Sequence, residues 1–368
     1  MKYDYLIVGA GFSGLVAAER LCNEHGKRCL IVEKRDHIGG NCHDCYDEHG
    51  VLIHPYGPHY FRTNSDEVLQ YLSRFTEWIS GDYKVKLHCE DREWSFPINL
   101  ETFEQYIGRA STTEEMEEWL SSQRINFEQV TNSEEAVLSK VGKKWYNMFF
   151  KGYTSKQWNC HPSELSPSVC NRIPIRTVKD DRYFNDKHQC LPKHGYHKLF
   201  NNIAKACGDR LKIRLDTDHS QISDDEWSEM IFTGPIDAFF NHQLGSLPYR
   251  SLRFEREHHA DEDLRQPCVQ VNYSSADIRH TRTVESKHIT KQKTKGTTII
   301  REFPQDYTEG MDPYYPVPNE ESKKLYEKYR HLSESLNNVH FLGRLGNYKY
   351  YNMDQVVAMT LKFAKNIS

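Results

Sequence analysis

The stretch that decides the fold is YLIVGAGFSGLVAA, residues 5–18. Its first four residues are apolar and predict a short buried strand, and the residues from Leu15 onward have the apolar spacing of a helix. Between them stands a Gly-x-Gly-x-x-Gly turn formed by Gly9, Gly11 and Gly14. A second apolar run, CLIV at residues 29–32, follows the helix. This β-α-β unit predicts an α/β protein that has a parallel sheet with helices on its faces.

The glycine turn predicts a dinucleotide site, because it directly follows a strand and opens a helix. Gly9 permits the tight turn, Gly11 lets a pyrophosphate approach the backbone, and the start of the helix offers N–H donors. Glu33 ends the second strand, nineteen residues after the last glycine, where its carboxylate can accept from ribose hydroxyls. This motif alone does not separate FAD from NAD. The pair Gly39-Gly40 favours FAD, since it lets backbone pass close to a long dinucleotide.

Composition narrows the class of protein. The 368 residues carry 48 basic and 52 acidic side chains, and a net charge of −4 argues against a general nucleic-acid or membrane surface. No apolar run approaches the roughly 18 residues of a membrane-spanning helix. The N-terminus lacks a signal-peptide pattern, and the ten cysteines have no paired spacing. We therefore predict a cytoplasmic protein with reduced thiols, no membrane span and no nucleic-acid partner.

The pattern changes along the chain. Apolar residues recur at helical spacing through residues 66–171, whereas residues 269–273 and 297–301 alternate like strands. Residues 339–344 repeat the strand-into-glycine pattern, and residues 353–367 predict a C-terminal helix. The predicted domains are a discontinuous FAD-binding Rossmann-like domain, an inserted helical domain with a mobile substrate loop, and an antiparallel-sheet substrate domain. The FAD-binding domain is predicted to comprise residues 1–65, 201–245 and 318–368. The helical domain spans residues 66–172, and the sheet domain comprises residues 173–200 and 246–317.

Several smaller motifs predict no chemistry. Cys42 and Cys45 have C-x-x-C spacing, but no second pair follows at the distance that a zinc site needs. His54, His59 and His88 are not set in a metal-binding motif such as H-E-x-x-H, so we predict no metal site. The chain also lacks the G-x-S-x-G turn of a serine hydrolase.

The arginines point to a second ligand. Arg172 and Arg176 flank a proline that favours extended backbone, and residues four apart in a strand point to one face. Arg250, Arg282 and Arg344 stand beside Tyr, Thr or Gly. Guanidinium groups bind phosphate oxygens in pairs. With the tyrosine-rich stretches at residues 152–158, 312–316 and 348–351, these arginines predict a diphosphate ligand beside the dinucleotide.

Together, these motifs resemble the UDP-galactopyranose mutase family, and the resemblance runs essentially end to end. The stretches that carry it are GAGFSG, EKRDHIGGN, YGPHYFRTN, FFKGYTSKQW, RIPIR, DRYF, FTGP, LPYRSL, TRTVESKH, DPYYPV and GRLGNYKYYNMDQVV. The resemblance implies an isomerase that interconverts UDP-galactopyranose and UDP-galactofuranose without net redox change. It implies FAD that is active when reduced, with NADPH or NADH as the reductant, and an adduct between flavin N5 and the sugar. It further implies a homodimer whose product enters capsule or lipopolysaccharide synthesis.

Residue roles follow from the same resemblance. It implies that Arg176 and Arg282 clamp the substrate diphosphate and that His59 lies near the flavin. It assigns substrate contacts to Tyr153, Trp158, Arg172, Tyr183, Arg250, Tyr315 and Tyr350, with Arg250 behind the others. It assigns cofactor contacts to Gly9, Gly11, Phe12, Ser13, Gly14, Glu33, Lys34, Gly40, Asn41, Arg344, Asn352 and Met353.

Two positions depart from the family's pattern. Arg62 stands where the family has histidine, and Asn352 stands where it has aspartate. A buried guanidinium needs an acceptor. That acceptor is either the acetamido carbonyl of UDP-N-acetylgalactosamine, which would widen the substrate range, or a carboxylate such as Asp66 or Glu67. Two other functions share the opening fingerprint: a flavin-dependent amine oxidase or desaturase, and a non-catalytic binding protein.

Overall fold

The opening motif lies in a parallel sheet of five strands. The computed structural model describes residues 2–81 and 83–367. Across the sheet the strands run Leu211–Arg214, Cys29–Val32, Tyr3–Val8, Trp227–Phe232 and Val339–Phe341, all parallel. The helix Phe12–Glu24 contacts the two strands that flank it in sequence, and it also packs against the helices Gly195–Ala206 and Met353–Lys365. The predicted Rossmann-like α/β class is thereby confirmed.

A second sheet has seven strands. Their order is Tyr315–Pro316, Tyr249–His259, Thr297–Asp306, Arg282–Val284, Gln270–Tyr273, Val85–Cys89 and Arg92–Phe96. All neighbours are antiparallel except Gln270–Tyr273 and Val85–Cys89, which pair in parallel. The last two strands come from the segment predicted as a helical insert. Burial alternates along Val85–Cys89, as expected for a strand with one face in the core.

From Leu100 onward the regular structure of that insert is helical. Its helices are Leu100–Ile107, Thr113–Gln123, Ser133–Trp145, Gly152–Trp158 and Ser168–Asn171, with a π-helical turn at Tyr146–Lys151. Thr112 begins the second of these as an N-cap and accepts from the Glu115 amide at 3.3 Å. The serine- and threonine-rich stretch before the acidic run therefore starts a helix.

The remaining elements are two small sheets, further helices and short turns. A three-stranded sheet pairs Phe61–Thr63, His188–Pro192 and Trp78–Ser80, and a two-stranded one pairs Cys45–Tyr46 with Leu52–Ile53. The other helices are Asp66–Ser73, Ile236–Phe239, Lys287–Thr290, Glu320–Ser333 and Gly343–Gly346, with 3-10 turns at Gly40–Cys42, Pro162–Glu164, Gly208–Arg210, His219–Gln221 and Asp224–Glu226. Within residues 2–81 and 83–367, no helix combines the length and the apolar character that crossing a membrane requires.

Candidate active site

A long cleft opens at the carboxyl ends of the parallel strands. Val8, Val32 and Phe232 end three adjacent strands and line it. Ligands of open α/β sheets bind at this edge. Of the predicted cofactor residues, the cleft is lined by Gly9, Gly11, Phe12, Ser13, Glu33, Lys34, Gly40, Asn41, Arg344 and Met353.

The residues of this cleft fit a dinucleotide. Gly9 has φ +102°, and a Cβ there would collide with Thr233 Oγ1, so only glycine suits the turn. Gly11 is the N-cap of the helix and offers it no side-chain hydrogen bond, which leaves the N–H groups of the first turn open to a phosphate. The buried Glu33 carboxylate accepts from the amides of Ala10 at 2.8 Å and Arg35 at 3.1 Å. A carboxylate has about four acceptor sites, so capacity remains for ribose hydroxyls.

Two predicted cofactor residues do not line this cleft. Gly14 lies below it, where a Cβ would collide with the Gly9 carbonyl oxygen. Its role is close packing of the helix on the strand, because only a residue without a side chain fits there. Asn352 lines a second cleft instead and begins the helix Met353–Lys365 in a capping box with Gln355.

The second cleft is lined mainly by rings and guanidinium groups. The predicted site residues found there are His59, Arg62, Tyr153, Trp158, Arg172, Tyr183, Arg282, Tyr315, Arg344 and Tyr350. Five residues line both clefts: Asn41, His59, Tyr314, Arg344 and Met353. The two clefts therefore share one wall, and a ligand in either lies against the same side chains.

Arg172 and Tyr350 form one side of the second cleft. Arg172 follows the short helix Ser168–Asn171, and its Nη1 donates to the Tyr350 hydroxyl at 3.1 Å. The Tyr350 ring stacks on the Tyr315 ring, with 5.4 Å between the two ring centroids. The guanidinium carbon of Arg344 lies 4.9 Å from the Tyr350 centroid. Burial would raise the pKa of Tyr350, but the charges of Arg172 and Arg344 outweigh it and lower that pKa.

Arg282 faces the cleft from the seven-stranded sheet. Glu302 is its direct cross-strand partner and accepts from Arg282 Nε at 2.9 Å and from Nη2 at 2.8 Å. Burial opposes the charge of Arg282, but Glu302 raises its pKa well above the ordinary value. The fork of Arg282 is thus held on the buried carboxylate, and the charge stays fixed at the cleft.

The structure does not bring Arg176 to this cleft. Its Nη1 donates to the carbonyl oxygens of Asp180 at 3.1 Å and Arg182 at 2.6 Å, and its Nη2 donates to Asn185 Oδ1. The prediction that Arg176 shares a strand face with Arg172 is wrong, because Arg172 ends a helix and the following residues form no strand. Of these two arginines, Arg172 lines the second cleft and Arg176 does not.

Arg250 lies behind the cleft. Its buried guanidinium donates from Nε to the Gln157 carbonyl at 2.9 Å and forms an ion pair with Asp306. It does not line the second cleft, so it is not placed to touch a substrate there. It holds the carbonyl end of the helix Gly152–Trp158, where a cation is favourable.

Arg62 has its own carboxylate. It donates to Asp186 Oδ2 at 2.7 Å, and its guanidinium lies 4.4 Å from the Phe184 ring centroid. The predicted partners pair elsewhere, Asp66 with Lys187 and His188, and Glu67 with Lys365. A carboxylate therefore satisfies Arg62, but it comes from the segment before strand His188–Pro192 and not from the helix that follows Arg62.

His59 lies on the shared wall. Its Nδ1 is 2.8 Å from the Gly57 carbonyl oxygen, and its amide donates to His54 Nδ1 at 3.0 Å. Burial lowers the pKa of His59 to about 3, so its ring is neutral near pH 7.

Some lining residues were not predicted from the sequence. Tyr56, Tyr83, Gln157, Phe184, Gln270 and Tyr314 line the second cleft, and Arg35 and Asp312 line the dinucleotide cleft. Gln157 and Tyr314 stand within motifs that the sequence displays. Gln270 reaches the cleft through strand pairing, and the Tyr83 hydroxyl donates to Gln270 Oε1 at 2.7 Å.

Comparison with known proteins places the chain in a family. A family model for UDP-galactopyranose mutase matches residues 148–350, more than half of the chain, and one for NAD(P)-binding Rossmann-like domains matches residues 7–75. The chain is 37% identical to a probable UDP-galactopyranose mutase of Klebsiella pneumoniae, over 98% of this chain and 94% of the relative. It is 34% identical to a dTDP-fucopyranose mutase of Escherichia coli, over 98% of this chain and 97% of the relative.

The fold is similar to that of a crystallised reduced UDP-galactopyranose mutase. That structure aligns with a TM-score of 0.79 at 16% identity and covers 99% of this chain and 93% of its own. The 37% sequence identity to the Klebsiella relative, over nearly the whole chain, and the family match together favour an isomerase over an amine oxidase or a binding protein. The chain therefore belongs to the UDP-galactopyranose mutase family of flavin-dependent isomerases.

Proposed function

We propose that this protein interconverts the pyranose and furanose forms of UDP-galactose, with FAD in the dinucleotide cleft and the nucleotide sugar in the second cleft. The observation that carries the proposal is the convergence of Arg172, Arg282 and Arg344 on a cleft that shares a wall with the cofactor cleft. Glu302 balances the charge of Arg282, and among residues 2–81 and 83–367 no carboxylate pairs with Arg172 or Arg344. The excess positive charge suits a diphosphate, which carries two negative charges near pH 7.

The side chains are arranged to hold a leaving group. Arg172 and Arg282 would bind the diphosphate oxygens as it departs from the anomeric carbon, where new negative charge develops. Tyr153, Tyr183, Tyr315 and Tyr350 add hydroxyl donors around the same space. Trp158 and Tyr153 supply apolar faces for the base and the sugar. A diphosphate held in this way stays within reach of the sugar for the return step.

Reduced flavin would supply the nucleophile that accepts the anomeric carbon while the sugar ring opens and recloses. Dinucleotide-cleft residues from Gly9 to Asn41, with Arg344 and Met353, would hold it against the shared wall. His59 is neutral there and can donate or accept a hydrogen bond without adding charge. The protein thus orients the reactants and balances charge. We also propose NADPH or NADH as the reductant, a homodimer in the cytoplasm, and a product used for surface polysaccharide.

The substrate range forms a further part of the proposal. Arg62 lines the second cleft and uses Nη1 for Asp186, and its other N–H groups remain for an acetamido carbonyl. We propose that UDP-N-acetylgalactosamine is accepted together with UDP-galactose. The two relatives named above act on UDP- and dTDP-sugars, so the nucleotide also has to be tested.

The test is turnover by the dithionite-reduced holoenzyme. UDP-galactose, UDP-N-acetylgalactosamine and dTDP-fucose are supplied separately, and the ring forms are resolved by chromatography. We expect furanose product from UDP-galactose with reduced enzyme and none with oxidised enzyme. Equal turnover by the two forms, or no ring contraction of any nucleotide sugar, would overturn the proposal. Hydrogen peroxide formed from an added amine would favour the oxidase alternative.

A further inference from the structure

The ammonium group of Lys156 is bound by backbone alone. Lys156 Nζ lies 2.7 Å from the carbonyl oxygen of Tyr273, 2.8 Å from those of Ser275 and Ile278, and 3.2 Å from that of His280. No carboxylate shares the group in the described parts of the chain, and burial lowers the pKa of Lys156 to about 8. The lysine remains charged at pH 7, and four inward-turned carbonyls depend on it.

The loop that carries those carbonyls leads into the substrate cleft. It joins strand Gln270–Tyr273 to strand Arg282–Val284, and its last residue before the second strand, Thr281, donates its amide to the Glu302 carbonyl at 2.9 Å. Arg282 is the first residue after the loop and faces the cleft. The loop therefore ends beside the strand pair that holds Arg282 against Glu302.

Lys156 lies on a helix that lines the second cleft. It belongs to the helix Gly152–Trp158, whose Tyr153, Gln157 and Trp158 line the second cleft. Gly152, one turn earlier, packs directly on the same loop, because a Cβ there would collide with the Ser274 carbonyl oxygen. The helix and the loop thus touch at two successive turns, and the ammonium supplies the polar half of that contact.

We propose that Lys156 is a positioning residue for the nucleotide sugar: it fixes the distance between the helix that carries Tyr153 and Trp158 and the loop that presents Arg282. This inference rests on the function proposed above. It differs from a general structural role, because it requires the loss of the ammonium to loosen the nucleotide site while the cofactor site is unchanged.

The test compares two buried ammonium groups. Lys287 resembles Lys156 in that its Nζ binds the carbonyls of Asp263 at 3.1 Å, Thr294 at 2.6 Å and Gly296 at 2.9 Å. It differs in that it also forms an ion pair with the Asp263 carboxylate at 2.6 Å, and it lines neither cleft. At pH 7, Lys156→Met should raise the Kd for UDP and the KM for UDP-galactose at least about tenfold and leave FAD content unchanged. Lys287→Met should lower the melting temperature and leave both constants unchanged.

Chemical rescue gives a second measurement. Lys156→Ala keeps Cβ and removes the atoms that n-propylammonium would replace. Adding n-propylammonium to that variant should restore UDP affinity, whereas tetramethylammonium, which has no N–H donor, should not. Restoration would show that the missing interaction is the ammonium among the carbonyls, even if the variant is less stable.

Each result bears on one of the two ideas. If wild-type protein binds UDP and Lys156→Met binds it equally well, or if both methionine variants behave alike, the positioning role is overturned and the proposed function stands. If n-propylammonium fails to restore UDP binding to Lys156→Ala, the role is also overturned. If wild-type protein neither binds UDP nor turns over UDP-galactose, the proposed function fails and this inference fails with it.

Discussion

The guanidinium of Arg172 donates to the hydroxyl of Tyr350 at 3.1 Å and lies 5.3 Å from the centroid of its ring. The two residues are 178 positions apart in the chain. One ends a short helix, and the other precedes the C-terminal helix. Their contact forms one side of the second cleft and places a permanent positive charge beside a phenol whose pKa is lowered.

Replacing Arg172 should therefore impair catalysis. Losing one preorganised charged donor costs roughly 2.7–4 kcal/mol in the transition state, so Arg172→Ala should lower kcat/KM by about two to three orders of magnitude. Arg176→Ala is the matched control and should have a much smaller effect, because that side chain is bound to Asp180, Arg182 and Asn185. Steady-state assays of the reduced enzymes check this. A large loss in Arg176→Ala with a small one in Arg172→Ala would restore the prediction made from the sequence.

Arg282 should not tolerate lysine. Arg282 Nε and Nη2 both donate to one Glu302 oxygen, Oε2, and a lysine ammonium, which is a point charge, cannot reproduce this contact of the planar fork. Arg282→Lys should lose nearly as much of kcat/KM as Arg282→Ala, about two to three orders of magnitude, while FAD remains bound. Near-normal turnover by the lysine variant would mean that charge alone is sufficient at this position.

The glycine turn should control cofactor binding. Gly9 and Gly245 both have φ +102°, but a Cβ at Gly9 would collide with Thr233 Oγ1, whereas one at Gly245 would meet no atom within 4 Å. Gly9→Ala should yield protein that lacks most of its FAD, and Gly245→Ala, which suffers the same backbone strain, should keep it. The ratio of flavin to protein absorbance measures the difference. Equal flavin content in the two variants would contradict a site at this turn.

Arg62 should affect the choice of sugar. A hydrogen bond from a charged donor is worth about 1.5–3 kcal/mol, so Arg62→His should lower kcat/KM for UDP-N-acetylgalactosamine roughly tenfold or more and spare UDP-galactose. Asp186→Asn serves as the control, since it removes the ion pair and keeps the arginine. A parallel loss for both sugars in Arg62→His would indicate that Arg62 serves Asp186 and Phe184 and does not read the acetamido group.

His54 should make the protein less stable in acid. Its ring is almost fully buried, its Nδ1 accepts from the His59 amide, and burial lowers its pKa. Below about pH 6.5 the unfolded chain binds a proton there that the native protein does not, so the free energy of unfolding falls as pH falls, by up to about 1.4 kcal/mol per pH unit. His54→Asn keeps an acceptor and removes the titration, so its slope should be smaller. Urea unfolding of the holoprotein measures the free energy of unfolding between about pH 5 and pH 7, which spans the ordinary histidine pKa. Identical slopes of that free energy against pH in wild type and His54→Asn would refute the assignment.

The sequence predicted best where the structure depends on local pattern. The strand, glycine turn, helix and second strand of residues 3–32 are all adjacent in the chain, and each has its own signal. The C-terminal helix was also found, because its apolar spacing continues from Met353 to its end. The resemblance to a known family identified most of the residues that line the second cleft.

The errors came from one wrong assignment of local structure and from side chains whose neighbours are distant in sequence. Strand periodicity predicts that Arg172 and Arg176 point to one face. Arg172 instead follows a helix and binds Tyr350, whereas Arg176 binds the carbonyl oxygens of Asp180 and Arg182. Arg62 meets a carboxylate 124 residues away, and Lys156 meets carbonyls more than a hundred residues away. No local spacing encodes such contacts, since they arise only when the sheets have formed.

The shared wall has a thermodynamic consequence. A molecule lying in the dinucleotide cleft completes the surface that a molecule in the second cleft touches, and Asn41, His59, Tyr314, Arg344 and Met353 serve both. If one occupant strengthens the hold on the other, reciprocity requires the second to strengthen the hold on the first by the same factor. The nucleotide sugar would then tighten cofactor binding, and abundant substrate would protect the protein from becoming flavin-free.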